Sequence, residues 1–298
     1  MSLLPGRVGL WTAAIDAVEP AAVPDVVGEL DEQGWAALWI AEAYGREALS
    51  AAHLYLSATR RMAVGTGIAS IYGRDAVAAA SAARLLGDLF PDRFVLGLGV
   101  SHAPMVERMR GHAYGRPLRA MTEYLDAMDA APWFAAGGQA PPPRVLAALG
   151  PRMLELARDR AAGALTYLVT PEHTAAARET LGAGPHLAVE QAVVLSGDPD
   201  VMQARAHWHL EIYTGLANYR ASWTRQGFSD EDLARGGSDR LKSAMVVGGE
   251  EAVAQRVREH LDAGADHVCL QVLGQDVFAV PADDWARLAL VVADLRTA

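Results

Sequence analysis

The sequence predicts a closed (β/α)8 barrel, in which parallel strands alternate with helices. Short apolar segments of strand length alternate with segments whose apolar residues recur at every third or fourth position. These alternations number close to eight, the count that closes such a barrel. The length of 298 residues suits a barrel of about 250 residues with insertions. We therefore expect an α/β protein with a single domain over residues 1–298.

The clearest unit of this alternation extends from Met62 to Pro104. Met62–Ile68 is predicted as a strand, Asp75 as the N-cap of an amphipathic helix, and Phe94–Leu98 as the next strand. A strand, a helix and a strand in succession form a βαβ unit, so the two strands should be parallel and end at the same edge. In parallel α/β folds, ligands bind at that edge.

The remaining elements continue the alternation. The other predicted strands are Arg7–Trp11, Ala36–Ala41, Val145–Leu149, Ala164–Val169, Leu187–Leu195 and Asp266–Leu273. The other predicted helices are Pro24–Gly34, Ala48–Thr59, Arg116–Ala130, Pro151–Ala161, Glu172–Leu181, Glu250–Ala263 and Pro281–Leu295. Ala135–Pro143 is rich in glycine and proline and is predicted as a surface loop. The segment between the last two strands is longer than one crossover helix requires, so we expect a helical, aromatic-rich insertion over the barrel mouth, roughly residues 198–249.

Composition restricts the expected partners and location. The net charge is −10 and Lys242 is the single lysine, which argues against general binding to nucleic acids or acidic membranes. No apolar run reaches the ~18 residues of a membrane span and no leader is recognisable, so we expect a cytoplasmic protein. The single cysteine, Cys269, lies in an apolar strand and is predicted to be a buried core thiol.

Three segments resemble the luciferase-like monooxygenase superfamily: VGTGIASIYGRDAVAAASAARLLGDLFPDRFVLGLGVSH, LDEQGWAALWIAEAYGRE and PRMLELARDRAAGALTYLVTPEH. The closer resemblance is to its actinobacterial branch, which uses the deazaflavin coenzyme F-420, and it extends from Val8 to Gly274. It implies a TIM barrel and an oxidoreductase that moves a hydride between coenzyme F-420 and a small organic substrate. Two alternatives remain open: an FMN-dependent monooxygenase, and a barrel that binds flavin or another ligand without catalysis.

The resemblance places the cofactor ring at the strand ends, next to Trp11 and the segment from Gly67 to Ser70. Related enzymes have a bulge there with a non-prolyl cis peptide that supports the middle of the ring, and by position this peptide is Gly67–Ile68. Read without the resemblance, these are ordinary strand glycines that allow a helix to pack closely. The aromatic insertion is expected to complete the edge of the ring site.

Two strand-to-helix junctions are candidates for the cofactor phosphate. Val100, Ser101 and His102 follow the fourth strand, and Ser101 is predicted as a helix N-cap. Free N–H groups at a helix start bind phosphate. Some family members have a catalytic acid at the position of His102, which could take up a proton at neutral pH or contact the phosphate. Gly150 and Arg152 form the second junction, where Arg152 either pairs with the phosphate or acidic tail of the cofactor, or is a surface arginine.

Glu42 and Tyr44 are the candidates for proton transfer at the end of the second strand. Dehydrogenases that resemble this chain have an acid followed by a histidine at the positions of Glu42 and Ala43, so the acid is matched and the histidine is missing. Glu42 or Tyr44 could act in its place. The alternative is that Glu42 bonds to a neighbouring loop.

Cations in the insertion are further candidates. Arg240 and Lys242 could meet the acidic end of the cofactor, or an Asp239–Arg240 ion pair could start a helix. No metal site is predicted, because His207 and His209 are two positions apart on a predicted helix and do not share a face. The expected partners are small molecules and a second copy of the chain, as a homodimer.

Overall fold

The computed structural model describes residues 3–138, 140–276 and 279–296. Its strands are β1 Val8–Thr12, β2 Ala37–Ile40, β3 Ala63–Thr66, β4 Ala69–Ser70, β5 Phe94–Gly99, β6 Arg144–Ala147, β7 Gly163–Thr166, β8 His186–Val194, β9 Val246–Gly248 and β10 His267–Val272. Its α-helices are α1 Val23–Glu32, α2 Ala48–Ala58, α3 Ala76–Leu89, α4 Pro117–Asp129, α5 Pro151–Arg160, α6 Pro171–Leu181, α7 Pro199–Tyr213, α8 Ala217–Arg225, α9 Asp239–Met245, α10 Glu250–Asp262 and α11 Ala282–Val291.

Within these described ranges, eight strands form a closed parallel barrel. Their order is β1, β2, β3, β5, β6, β7, β8 and β10, and β10 pairs with both β8 and β1 to close the sheet. The predicted (β/α)8 barrel is therefore confirmed. The carboxyl ends of all these strands lie at one face, which we call the mouth.

Two short strands were not predicted. The expected strand Met62–Ile68 is interrupted, because β3 ends at Thr66 and the chain resumes as β4, which pairs with β5. The second, β9, pairs with the last residues of β8 and lies at the end of the insertion. Neither has the length or alternation that would make it visible in sequence.

The barrel interior is lined by alternate residues of its strands. Trp11, Trp39, Val95, Ala188 and Cys269 belong to one buried cluster inside the barrel, whereas the residues between them pack against the helices. Cys269 is fully buried, and burial raises the pKa of its thiol well above the ordinary value. The prediction of a core thiol is confirmed.

The insertion predicted near residues 198–249 comprises α7, α8, α9 and β9. Its buried residues include Leu210, Trp223 and Leu241, which form a cluster with Leu168 and Leu273 from the ends of barrel strands. The Trp223 indole N–H donates to the Leu168 carbonyl at 3.0 Å. The insertion is therefore fastened to the mouth beside β7 and β10.

Across the described parts of the chain, no helix combines the length and apolarity needed to cross a membrane.

Candidate active site

The floor of the mouth, which we define as Gly67, Ile68 and Val100, begins where β3 ends. The Gly67–Ile68 peptide bond is cis, as the resemblance implied, and both residues are partly exposed. The indole N–H of Trp11 donates to the Gly67 carbonyl oxygen at 2.7 Å. A Cβ atom at position 67 would lie 2.8 Å from that indole nitrogen, so glycine is required for Trp11 to pack here.

Ile68 extends the floor across the end of β5. A Cβ atom at position 99 would lie 2.5 Å from the Ile68 side chain, so Gly99 is what allows Ile68 to pack against this strand. Val100 follows and is also partly exposed. The floor therefore offers backbone and aliphatic surface, which suits the face of a flat ring.

An aromatic wall, made of Tyr167, His209, Tyr213 and Tyr219, stands beside the floor. The centroid of the Tyr167 ring lies 5.3 Å from that of Trp11 and 5.5 Å from that of Tyr213. Tyr219 continues the row, 4.7 Å from Tyr213 and 5.7 Å from His102. Three of the four wall residues come from α7 and α8, so the insertion supplies most of this wall. That the insertion borders a cofactor ring stays a prediction.

The wall carries a chain of hydroxyl groups. The Tyr167 hydroxyl donates to Oε1 of Gln271 at 2.6 Å and lies 2.9 Å from the Tyr213 hydroxyl. Since the Tyr167 proton points to Gln271, Tyr213 is the donor in the second bond. Nε2 of His209 lies 3.4 Å from the same Tyr167 oxygen. The Tyr167 hydroxyl is thus held in a fixed position beside the floor.

Burial keeps the wall uncharged. It raises the pKa of the Tyr167 phenol well above its ordinary value, and the nearby Tyr213 acts in the same direction. Burial also lowers the pKa of His209 to about 4. Both side chains are therefore neutral at physiological pH, and the wall offers hydrogen bonds without net charge.

His102 lies at the far end of the wall. Burial lowers the pKa of its imidazole, and a hydrogen bond with the Asn218 side chain opposes this shift. Among the described residues, Nδ1 of His102 is buried without a hydrogen-bond partner. The lowered pKa disfavours proton uptake by His102 at neutral pH, and the unpartnered nitrogen favours contact with a ligand, the other option for this residue. Its role stays a prediction.

Ser101 does not cap a helix, contrary to the prediction. Its φ of 54° lies in the left-handed region, whereas an N-cap residue has extended geometry. The helical turn begins only after His102, whose carbonyl accepts the N–H groups of Met105 and Val106. A phosphate contact at Val100, Ser101 and His102 stays a prediction.

Glu42 belongs to a structural clamp, which we define as Glu42, Arg74, Glu47 and Ser70. The Glu42 carboxylate pairs with Arg74 and accepts the N–H groups of Ser70 at 2.7 Å and Ala48 at 3.3 Å. Arg74 also pairs with Glu47, the N-cap residue of α2, at 2.7 Å. The Glu42 and Arg74 side chains are only 6% and 10% exposed. The alternative in which Glu42 bonds to a neighbouring loop is confirmed.

Ser70 and Tyr44 lie apart from the wall. Ser70 is 1% exposed, and its hydroxyl accepts the Tyr72 N–H at 3.3 Å, so it supports the turn instead of lining the mouth. The Tyr44 side chain is 78% exposed. The structure therefore does not bring Tyr44 together with the wall or the floor as a base, because its loop directs the side chain to solvent.

The second predicted phosphate junction has an additional cation. Gly150 is the N-cap residue of α5, and Arg152 is exposed in the first turn. Arg225, at the end of α8, donates a hydrogen bond to the carbonyl of Leu149, just before Gly150, at 2.9 Å. A cleft of about 640 Å³ opens here between α5, α6 and the insertion, and Arg225 and Arg240 both line it.

The cations of α9 are ion-paired, though not as expected. Arg240 pairs with Asp232 at 2.7 Å and lies 4.6 Å above the Phe228 ring. Lys242 pairs with Asp239 at 2.8 Å. The predicted Asp239–Arg240 pair is therefore wrong, because Ser238 caps the helix and directs Asp239 toward Lys242, one turn ahead. Among the residues that the structure describes, no cluster of histidine, cysteine or acidic side chains could hold a metal ion.

The profile of the luciferase-like monooxygenase family matches residues 1–267. The chain belongs to this family. A Mycobacterium tuberculosis protein described as a coenzyme F-420-dependent oxidoreductase is 32% identical over 120 residues, which cover 40% of this chain and 35% of that protein. This chain thus matches only about a third of that relative's length.

Several solved structures share the luciferase-like fold over nearly the whole chain. An F-420-dependent secondary alcohol dehydrogenase, bound to an F-420–acetone adduct, has a TM-score of 0.72 at 14% identity and 98% and 99% coverage of the two chains. The F-420-dependent tetrahydromethanopterin reductase of Methanopyrus kandleri has a TM-score of 0.67 at 17% identity, covering 97% and 98%. The oxygenating constituent of the 3,6-diketocamphane monooxygenase of Pseudomonas putida, bound to FMN, scores 0.69 at 15% identity and covers 97% of each chain.

Three polar residues of this luciferase-like barrel were missed by the sequence analysis: Tyr167, Glu190 and Gln271. Each lies in or directly after a strand that is otherwise apolar. Parallel barrel strands are buried on both faces, so an isolated polar residue in such a segment is a signal in itself. That signal would have found all three, but not their contacts with each other.

Proposed function

We propose that this chain is a coenzyme F-420-dependent oxidoreductase that transfers a hydride to or from a small, neutral organic substrate bearing a carbonyl or hydroxyl group. The observation that carries the proposal is the Tyr167 hydroxyl, held by Gln271 and Tyr213 beside Trp11 at the floor of the mouth. The name of the mycobacterial relative supports the choice of cofactor.

The residues present fit a flat tricyclic ring on the floor. Gly67 presents no side chain there, since a Cβ would collide with Trp11, and Ile68 and Val100 add aliphatic surface. The unpartnered Nδ1 of His102 gives a bound ligand a hydrogen-bonding atom at the far end of the wall. When bound, coenzyme F-420 would supply a two-electron hydride donor or acceptor.

The cleft beside Gly150 favours F-420 over FMN. F-420 carries an acidic tail beyond its phosphate, and FMN ends at the phosphate. Arg225 and Arg240 line this cleft and Arg152 lies exposed in the first turn of α5, on a chain with a net charge of −10. Arg225, which is bonded to the Leu149 carbonyl, and Arg152 would attract carboxylates of the tail, whereas Arg240 is already paired with Asp232. Lys242 does not line this cleft, so we assign it no contact with the tail.

Tyr167 is the proton-handling residue of the proposal. In the reducing direction its O–H gives a proton to the substrate oxygen while a hydride reaches the adjacent carbon; in the oxidising direction the proton returns. The Tyr213 hydroxyl, 2.9 Å from the Tyr167 oxygen, helps to hold that oxygen in place. His209 and His102 are neutral, and Glu42 and Arg74 pair with each other, so none of these four groups offers a free charge to an ionic substrate group.

Titration of the purified protein with F-420 and with FMN, followed by fluorescence or calorimetry, tests the cofactor. Turnover is then measured with a series of alcohols and ketones of increasing size, and with carboxylate analogues as matched charged controls. We expect micromolar F-420 binding and turnover of neutral substrates only. Micromolar FMN binding without F-420 binding would overturn the proposal and favour the monooxygenase; F-420 binding without turnover of any donor or acceptor would favour a non-catalytic barrel.

A further inference from the structure

Glu190 is a carboxyl group enclosed inside the barrel. It lies on β8, in register with Cys269 of β10, and it is 0% exposed. Ala188, two positions earlier on the same strand, belongs to the interior cluster, so Glu190 also points inward. Tyr167 directly follows the neighbouring strand β7, one position beyond the Thr166–Val189 pair, which places it beside Glu190.

The surroundings of Glu190 favour its uncharged form. Its Oε2 accepts the Leu168 N–H at 3.0 Å. Within the described residues, Oε1 has no hydrogen-bond partner and the carboxyl group has no ion-pair partner. An ionised carboxylate there would be buried without compensation, which costs far more than holding a proton. In agreement, burial raises the pKa of Glu190 to about 8, against the opposing effect of the Leu168 N–H.

Among the described residues, three phenols and one thiol interact electrostatically with Glu190. A negative charge on Glu190 would raise the pKa of Tyr167 at the end of β7, of Tyr213 on α7, of Tyr219 on α8 and of Cys269 on β10. A phenol with a higher pKa gives up its proton less readily. The protonation state of Glu190 is thus coupled electrostatically to the hydroxyl groups of the wall.

We propose that Glu190 is a positioning residue for Tyr167: as a neutral carboxyl group it permits proton donation by the Tyr167 hydroxyl, and its ionisation in alkaline solution opposes that donation. Glu190 keeps its own proton throughout the reaction, while the Tyr167 proton passes to the substrate oxygen. This inference rests on the proposed function, in which Tyr167 is the donor.

The first test uses the cofactor-free protein and does not depend on activity. The infrared carbonyl band of a buried protonated carboxyl group should be present at pH 7, disappear with a midpoint near pH 8, and be absent from Glu190→Gln. The protein is also labelled with ¹³C at the tyrosine ζ position, and the Tyr167 resonance is identified by its absence from Tyr167→Phe. As the pH rises, this resonance should shift with the same midpoint in the wild type and should not shift in Glu190→Gln. Absence of the band at pH 7 would overturn the inference, and so would a Tyr167 resonance that does not shift as Glu190 titrates.

The second test uses turnover of the F-420-loaded enzyme as a function of pH. We expect turnover to fall at alkaline pH with an apparent pKa near 8, which we call the alkaline limb. This limb should be missing in Glu190→Gln, because glutamine stays neutral and can still accept the Leu168 N–H. Glu190→Ala should lower turnover about tenfold at pH 7, with recovery in Glu190→Gln. Glu155→Gln, an exposed site on α5, is the matched control and should leave the limb in place.

The outcomes separate this inference from the proposed function. An alkaline limb that persists in Glu190→Gln contradicts the positioning role even if the enzyme is active. A wild-type protein that turns over no substrate contradicts the proposed function. The infrared and ¹³C titrations then still test whether Glu190 is protonated at pH 7 and coupled to Tyr167.

Discussion

The two sides of the mouth use polar side chains in opposite ways. In the clamp, Glu42 and Arg74 are charged, nearly buried and paired with each other, and they join the loops after β2 and β4 to the start of α2. In the wall, Tyr167 and Tyr213 are neutral and hydrogen-bonded in a chain that ends at Gln271. A buried charge needs a counter-charge, and the resulting ion pair is not free to react with a substrate. A neutral hydroxyl needs only a hydrogen bond, and it can replace that bond by one to a substrate.

Breaking the clamp should have the largest effect, and the effect should be on stability. Glu42→Gln leaves Arg74 with the more exposed Glu47 as its counter-charge, so we expect the free energy of unfolding to fall by about 3 kcal/mol, the lower end of the cost of breaking a buried pair. Urea denaturation measures it. Glu123→Gln is the control, since its pair with Arg119 is exposed and should contribute less than about 1 kcal/mol. A Glu42→Gln protein of normal stability whose turnover drops ~10²–10⁴-fold would instead make Glu42 the catalytic acid.

Removing the wall hydroxyl should act on turnover and leave the fold intact. Tyr167→Phe keeps the ring against Trp11 but loses the proton, so we expect kcat to fall about 100-fold, close to 2.7 kcal/mol, with KM nearly unchanged. Steady-state kinetics measure both constants. Tyr55→Phe, a buried tyrosine of α2, serves as control. Equal loss of stability and turnover in Tyr167→Phe would show that the wall, like the clamp, is structural.

The cleft cations should have the smallest effect. Arg225→Ala should weaken F-420 binding about two- to fivefold, because exposed ion pairs contribute roughly 0.2–1 kcal/mol, and FMN binding should not change. High salt should remove the difference. Lys242→Ala is the matched control, since Lys242 pairs with Asp239 and does not line the cleft. If both substitutions weaken F-420 binding equally, general electrostatic attraction and not the cleft explains it.

The sequence predicted the barrel and many of its elements because these depend on local patterns. The helix capped by Asp75 formed as expected, and its Oδ1 accepts the Ala78 N–H at 2.9 Å. Ser101 does not cap a helix because its φ is positive, which residue type does not reveal. Pairing of Asp239 with Lys242 instead of Arg240 likewise depended on the helix that Ser238 starts.

The sequence by itself determined the fold class, the family and the segments that reach the mouth, since hydrophobic periodicity and motif resemblance are properties of the chain. The tertiary structure alone decided which polar residues meet. Tyr167 and Gln271 are separated by 104 positions, and Glu42 and Arg74 by 32. Barrel closure places β8 between β7 and β10, and the same closure determines which carboxylate finds a counter-charge and which, at Glu190, keeps its proton.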